Sequence, residues 1–562
     1  MPKRVLVIGL DSAPLDWVRK WADEGRLPGL KRLMDEGASG ILQSVNPPLS
    51  PSAWASFATG MVPAKHGVFD HIYRRQGTYD IAPTTSATCM EEPVWRIISR
   101  HDGRVGVINV PETYPPAPVN GFLISGMDTP SDEAEYTYPS ELKSELQSAI
   151  GGYKVFGTRS KENLDRSIEG MHETIPMRAR AGQYLWDKYR PEFMTLVFME
   201  PDVIQHKCWK YLDPSHPEYG DDVNQKKGKI YRESIPDIYS RIDRAISPWL
   251  NSLDDDTTVI VMSDHGAGPL NKFLYINNWL EKEGYLHFKP SVLTRTKLLS
   301  FRLGFTPANV FNIAANLRLG VVDRATNKIK RDMITTGRTT RMQRAFLSWT
   351  DVDWQRTRAY SLGGNFTGIY INLEGREPEG CVAQGQVYDA LCDELKTRLK
   401  EWYDQDTGAP IVDRVYTREE LHQGPHSDRA PDVIFSTTNE AYVGSGGHEF
   451  TSNRLMNTSP LFNGHHRMNG MLIMSGGDVR AGQLEPTNIM DLAPSILYLL
   501  GYPIPVKMDG RVITQAVTKE FLAAYPIQFE DTVEYTPLEV DGTYTSEDER
   551  EVLTRLSDLG YL

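Results

Sequence analysis

Aspartate and histidine recur in this chain at the points where short apolar, β-branched runs end. Arg4 to Leu10 leads into Asp11. Phe193 to Met199 leads into Glu200-Pro201-Asp202, and His206 follows Asp202 by four residues. Thr257 to Met262 leads into Ser263-Asp264-His265-Gly266. His465-His466-Arg467 precedes Met471 to Met474. Taken singly, each of these residues reads as a cap or a salt-bridge partner. Jointly, three aspartates and two or three histidines are what two divalent ions need as direct ligands. Asp202 and His206 at i and i+4 face the same way on a helix and suit chelation of one ion. Asp264 and His265 are adjacent and need a turn to point together. Only one of His448, His465 and His466 is needed as a further ligand. Neighbouring side chains on extended backbone point to opposite faces, so His465 and His466 are not expected to share an ion.

A nucleophile is available in Leu49-Ser50-Pro51-Ser52-Ala53-Trp54-Ala55-Ser56-Phe57-Ala58-Thr59-Gly60. Ser50 reads as an N-cap, Pro51 as the first helical residue and Gly60 as the residue that ends the helix. A serine hydroxyl there sits beside free backbone N–H groups at the positive end of the helix dipole, a ready site for phosphate or sulfate. Next to a divalent cation the hydroxyl becomes an alkoxide without a dedicated base. Ser52 and Ser56 are competitors further along the helix. Trp54 reads as helix core rather than a stacking platform.

Such residues converge only if the strands that carry them are neighbours and parallel. Further strands are expected at 103–109, 121–125, 368–372 and 432–436, alternating with helical patterns. Alternation of this kind implies an α/β fold with a mostly parallel central sheet flanked by helices. Ligands in such sheets lie outside the carboxyl ends of the strands. The expected organisation is a catalytic body of residues 1–270 and 346–517, a helical basic insertion at 271–345, and a tail at 518–562. From Lys289 to Ala345 there are about 12 Lys/Arg against about 2 Asp, a net of roughly +10. Val310, Ile313, Ala314 and Leu317 have helical spacing within it. It reads equally as a solvated surface, an anion-attracting cap, or a patch at residues 289–345 that touches an anionic membrane. In the tail, Ser546 and Glu549 form a capping box, Val552, Leu553, Leu556 and Leu559 make one face, and Gly560 stops a docking helix with no catalytic role.

The net charge of −13 argues against general nucleic-acid binding. Four cysteines without pairing or CxxC spacing make neither a disulfide framework nor a zinc finger, and suit a reducing compartment. No run approaches the roughly 18 apolar residues of a membrane span. Met-Pro-Lys-Arg runs directly into a strand, which leaves no room for a signal peptide. A cytoplasmic enzyme is the expectation.

The motifs VIGLDS (7–12), PPLSPSAWASFATGMVPAKHGVFD (47–70), VGVINVPETYPP (105–116), FMEPDVIQH (198–206), VMSDHGAGP (261–269), GIYINLEGREPEG (368–380), HHRMNGMLIMSG (465–476) and DLAPSILYLLGYPIPVKMDGRV (491–512) together resemble the alkaline phosphatase superfamily. Within it the chain is most similar to the type I phosphodiesterase/nucleotide pyrophosphatase branch in its bacterial and archaeal form. The resemblance implies a binuclear site. Asp11, Ser50, Asp264 and His265 would surround the metal that activates the nucleophile. Asp202, His206 and His466 would hold the second. It implies in-line attack by Ser50, a phosphoenzyme, and displacement by water. Mixed Asp/His ligation suits two Zn2+ ions, with Mn2+ or iron as competitors. Eukaryotic nucleotide pyrophosphatases carry Thr-Phe-Pro-Asn at the nucleophile. Ser50-Pro51-Ser52-Ala53 lacks that Asn, which weakens a nucleotide-specific reading. The Cys/Ser-x-Pro-x-Arg setting of sulfatases is also missing.

The expected function is metal-dependent hydrolysis of a phosphodiester or pyrophosphate bond in a small phosphorylated substrate. The alternatives are a phosphomonoesterase or phosphate-transferring mutase on the same scaffold, and a lipid-surface or partner-binding protein that keeps the fold. Asp70, His71 and Asn109, with Tyr73 and Tyr114, are candidates to touch substrate, although packing or turn formation competes for each.

Overall fold

The computed structural model describes residues 4–157, 163–307, 309–310, 345–362, 367–445, 450–459, 462–539, 543–559 and 561. Its centre is a ten-stranded sheet. Five neighbouring strands run parallel: Thr257–Met262, Arg4–Leu10, Phe193–Phe198, Val105–Val110 and Gly121–Ser125. Their residues are almost all buried, because helices cover both faces and leave no solvent side for polar alternation. Asn469–Ser475 joins antiparallel beside Thr257–Met262 and carries Ala38–Gln43 on its other side. Strands at 105–110, 469–475 and 433–437 shift or extend the expected limits by one or two residues. The expected fold class holds.

The packing divides the chain differently from the boundaries read in the sequence. Residues between Val5 and Ala267 and between Met471 and Tyr561 share one core. A second core gathers residues from Leu274 to Phe301 together with residues from Leu347 to Phe450. The stretch after 346 therefore does not return to the central sheet until near Met471. The physical reason is pairing: Ala359–Tyr360, Gly368–Ile371, Val433–Thr437 and Val412–Thr417 bond antiparallel to one another in a separate four-stranded sheet. Apolar alternation marks a strand but not its partner. Of the basic segment, the helix Val292–Arg302 is described, with Lys297 paired to Asp351 and Arg302 to Glu281. Most of the rest of that segment, including Ile313, Ala314 and Leu317, lies outside the described residues. No helix among the described residues is long and apolar enough to cross a membrane.

One buried ion cluster fastens the second sheet. Arg376 donates to both carboxylate oxygens of Asp432 (2.7 and 2.6 Å), and Arg418 and Tyr388 add bonds of 3.0 Å each. Burial pushes the Asp432 carboxyl up, but the bonds and charges of Arg376 and Arg418 outweigh it and hold it below the usual carboxylate range. Its contribution is thus present above the unfolded value of about 3.9 and is lost as pH falls through the lower folded value. Asp432→Asn removes the carboxylate that Arg376 and Arg418 share, although Arg376 keeps Glu377 and Arg418 keeps Glu419, and is expected to cost about 1–3 kcal/mol in urea unfolding at pH 7. The difference should shrink in acid.

Candidate functional site

Three strand ends deliver the acidic residues to one place. Asp11 follows Arg4–Leu10, Asp264 and His265 follow Thr257–Met262, and Asp202 lies in the first turn of the helix Glu200–Leu212 after Phe193–Phe198. His206 sits one turn further on that helix. His466 arrives on the strand Gly464–Arg467, which pairs antiparallel with Gly266–Pro269 so that His466 lies opposite Ala267. Gly464 permits this approach, since a Cβ there would meet the Gln205 carbonyl oxygen at 2.2 Å. All seven expected residues, Ser50 included, are buried.

The helix Ser50–Thr59 starts at Ser50 itself, with Leu49 in the capping position and Gly60 ending it at φ 68°. The expected N-cap bond is therefore not made. The Ser50 hydroxyl turns to His265 instead, with Oγ 3.1 Å from Nε2. Ser56 is engaged with His66 at 2.9 Å, and Ser52 Oγ is buried without a hydrogen-bond partner. The tail helix Ser546–Leu559 buries the expected face, but its cap is Thr545 with Asp548, one residue before the expected pair.

The three histidines share a tautomer. Nδ1 of His206, His265 and His466 lies 2.8, 3.1 and 3.0 Å from the carbonyl oxygens of Gly464, Gly266 and Pro48. A carbonyl only accepts, so each Nδ1 carries a proton and each Nε2 points inward, as a lone pair wherever the ring is neutral. Nε2 of His206 and of His466 then face each other at 3.1 Å. Asp202 Oδ1 lies 3.2 and 3.4 Å from those two nitrogens. His265 Nε2 is 3.2 Å from Asp264 Oδ2 and 3.9 Å from Asp11 Oδ1.

The carboxylates follow one pattern. Trp54 Nε1 donates to Asp11 Oδ2 (2.9 Å), the Ser12 N–H donates to Asp264 Oδ1 (3.1 Å), and the Tyr561 hydroxyl donates to Asp202 Oδ2. The other oxygen of each is buried without a hydrogen-bond partner: Asp11 Oδ1, Asp264 Oδ2 and Asp202 Oδ1. None of the three is paired with a lysine or arginine among the described residues. Burial, then mutual repulsion, pushes Asp11 well above the usual carboxylate range, and burial raises Asp264 likewise. Asp202 goes the other way: burial raises it, but His206 and His466 outweigh this and hold it well below. Asp202 in turn overcomes the burial that would lower His206. Burial depresses His265 to about 4 and His466 to about 3.

Buried acceptor atoms facing one another repel unless a proton or a cation lies among them. The donor set therefore fits divalent cations. Asp11, Asp264 and His265 form one compact group, with Ser50 Oγ beside it. Asp202, His206 and His466 lie within 3.4 Å of one another through Oδ1 and the two Nε2 atoms. His265 also reaches Asp202 and His466, and His465 reaches His206 and His466. Against the alternation expected on extended backbone, the His465 ring lies on the same side as that of His466 and stacks on it at 4.5 Å and 11°. His448 lies outside the described residues.

Sequence reasoning missed the hydrogen-bond donors. Trp54 is buried core as expected, yet its indole also orients Asp11. Its spacing of one turn from Ser50 was the available signal. Gly9 makes room for it, since a Cβ there would meet the Trp54 ring at 2.5 Å. Of the expected substrate contacts, Asn109 spends its amide on the Val197 carbonyl (2.9 Å), and Asp70 Oδ1 accepts from the His71 N–H (2.7 Å). The His71 ring borders the site, and burial and then His466 depress it to about 3.

The chain matches the type I phosphodiesterase / nucleotide pyrophosphatase family over residues 5–466 and belongs to that family. Phosphoester hydrolysis is the activity that membership supports. Among solved structures it is similar to phosphonoacetate hydrolase from Sinorhizobium meliloti 1021 in complex with phosphonoformate, at 15% identity and a TM-score of 0.50, over 89% of this chain and 95% of that one. The human ectonucleotide pyrophosphatase/phosphodiesterase 5 is similar at 13% identity and a TM-score of 0.48, over 92% of this chain and 100% of that one. Likeness at this identity speaks to the fold alone. No curated protein matches.

Proposed function

We propose that this protein hydrolyses a phosphodiester or pyrophosphate bond through a phosphoserine at Ser50, at a site for two divalent cations. The observation that carries the reading is the buried Ser50 hydroxyl on His265, within a cluster whose three carboxylates each have one oxygen fixed by a donor and the other without a hydrogen-bond partner. Asp11, Ser50, Asp264 and His265 would hold one ion and Asp202, His206 and His466 the other. The mixed Asp/His donors suit Zn2+, with Mn2+ or iron as competitors. When bound, such ions stabilise phosphoryl charge as Lewis acids and lower the pKa of a coordinated hydroxyl.

The chain's own residues do the rest. His265 Nε2 lies 3.1 Å from Ser50 Oγ and would belong to the ligand set, so it is not assigned as the base. The Ser50 proton passes to solvent water, since a cation held beside Oγ would lower the hydroxyl pKa, and Oγ attacks phosphorus in line. The new Oγ–P bond forms as the P–O bond to the leaving group breaks. Pro51 has no N–H and the Ala53 N–H bonds to the Leu49 carbonyl, so the N–H groups of Ser50 and Ser52 would be the ones to donate to a phosphoryl oxygen where the missing Asn of nucleotide pyrophosphatases would otherwise do so. Water then attacks phosphorus from the side the leaving group vacated and releases Ser50.

Substrate charge follows from the surroundings. Among the described residues no lysine or arginine bonds to Ser50 or to the three carboxylates. That favours a singly charged diester over a monoester, which carries about two charges near neutral pH. The expected result is metal-dependent cleavage of bis(p-nitrophenyl) phosphate with kcat/KM at least ~10-fold above that for p-nitrophenyl phosphate, a difference of about 1.4 kcal/mol. Preference for the monoester would overturn the diester reading and point to a phosphatase or mutase.

A further inference from the structure

Tyr561 lies far from the site in sequence and at its centre in space. Its side chain is fully buried. Its ring stacks on His71 (4.4 Å, 19°) and stands edge-on to His206 (5.6 Å, 79°). Its hydroxyl donates to Asp202 Oδ2. The helix Ser546–Leu559 that delivers it is fastened to the segments flanking the site. Arg555 donates to the carbonyls of Met127, Thr129 and Pro130, and Glu549 pairs with Arg75. Tyr544, ahead of the helix, stacks on Tyr114 (5.6 Å, 7°) and donates to the Asp128 carbonyl. Leu553 packs on Ile72 and Ile81.

We infer that Tyr561 is a positioning residue for the second cation: its O–H fixes one oxygen of Asp202 and so aims the other at His206 and His466. The inference rests on the two-cation reading above. A carboxylate has two equivalent oxygens and rotates freely about its last bond. Asp11 and Asp264 are each locked by a donor close in the fold, an indole and a backbone N–H. Asp202 stands in the first turn of its own helix, and among the described residues Tyr561 is the donor recorded on its Oδ2. Without the phenol, Oδ2 loses that bond and the carboxylate turns away from the geometry in which Oδ1 completes the donor set. Outer partners of metal ligands typically matter by about 10–100-fold in affinity. The tail helix, expected from its sequence to dock without a catalytic role, thus completes a cation site.

The test is zinc binding to the purified full-length protein by competition with a chromogenic chelator, followed as stoichiometry and affinity. Wild type should bind two ions. Tyr561→Phe keeps the ring on His71 and removes only the hydroxyl. It should weaken one ion about 10–100-fold and leave the other unchanged, with a melting temperature in excess chelator within a few degrees of wild type, as one lost buried hydrogen bond allows. Arg555→Ala, which leaves Tyr561 and Asp202 intact but releases tethers of the helix, should weaken the same ion by a smaller factor. Wild-type affinity for both ions in both variants would overturn the role of Tyr561. Failure of the wild type to bind two ions would instead overturn the two-cation reading, and the two failures are separable in one titration.

Discussion

Ser50→Ala is expected to lower turnover at least ~10³-fold while zinc content stays near that of wild type. The rate falls because no other hydroxyl can take over. Ser56 is tied to His66, and Ser52 has no hydrogen-bond contact with the Asp/His cluster. Metal content persists because three protein donors remain for the ion beside Ser50, from Asp11, Asp264 and His265. The fold persists because the lost hydroxyl makes one side-chain bond, to His265, and caps nothing; such a bond is worth about 0.5–1.5 kcal/mol. Two measurements decide it. Rapid acid quench of wild type with a slowly turned-over diester, followed by peptide mass spectrometry, should find a phosphoryl group that still carries the substrate's second ester on the peptide that contains Ser50. The same quench of Ser50→Ala should find none. Full activity in the variant, or phosphate on another residue, removes Ser50 as the nucleophile. Ser52→Ala serves as the internal comparison and should retain activity within a few-fold.

Particular residues show why some of this site could be read from the sequence and some could not. Asp11, Asp202, Asp264 and His265 were legible because each sits where an apolar β-run stops, and buried parallel strands are continuous apolar runs with sharp ends. The Asp202–His206 pairing was legible because helical geometry is local, and it is observed at 3.2 Å. His466 needed the resemblance as well, since its neighbour His465 offers the same chemistry and packs against it. What holds the carboxylates in place was not legible. Tyr561 meets Asp202 across 359 residues, and no local pattern encodes that contact. Trp54 looked like core and is core; that an indole N–H must find an acceptor when buried was the clue to Asp11. The second hydrophobic core escaped because hydrophobic alternation is the same for strands of either sheet. Hydrogen-bond donors and sheet partners are set by tertiary packing, while ligand types and element ends are set by short-range periodicity.

Asp202→Ala is expected to remove one bound cation and lower turnover about 10³-fold or more, an effect on binding as well as on chemistry. Two charged or polar interactions depend on this carboxylate at once. Oδ1 is the negative centre between the inward-facing nitrogens of His206 and His466, and Oδ2 accepts the Tyr561 hydroxyl. Its loss leaves two imidazoles whose lone pairs face each other at 3.1 Å without a counter-charge. Two neutral nitrogens alone make a far weaker site for zinc than two nitrogens and a carboxylate. A cation held beside Ser50 would have its own donors in Asp11, Asp264 and His265, so stoichiometry should fall from two to one rather than to zero. Removal of both ions from wild type by a strong chelator sets the lower limit of activity, and zinc or manganese should restore it. In Asp202→Ala the same addition should restore metal near Ser50 but not the rate. That asymmetry separates a lost ligand from a misfolded protein, in which neither ion would bind. Unchanged stoichiometry in Asp202→Ala would exclude the carboxylate as a ligand, and chelator-resistant activity would exclude the metal mechanism as a whole.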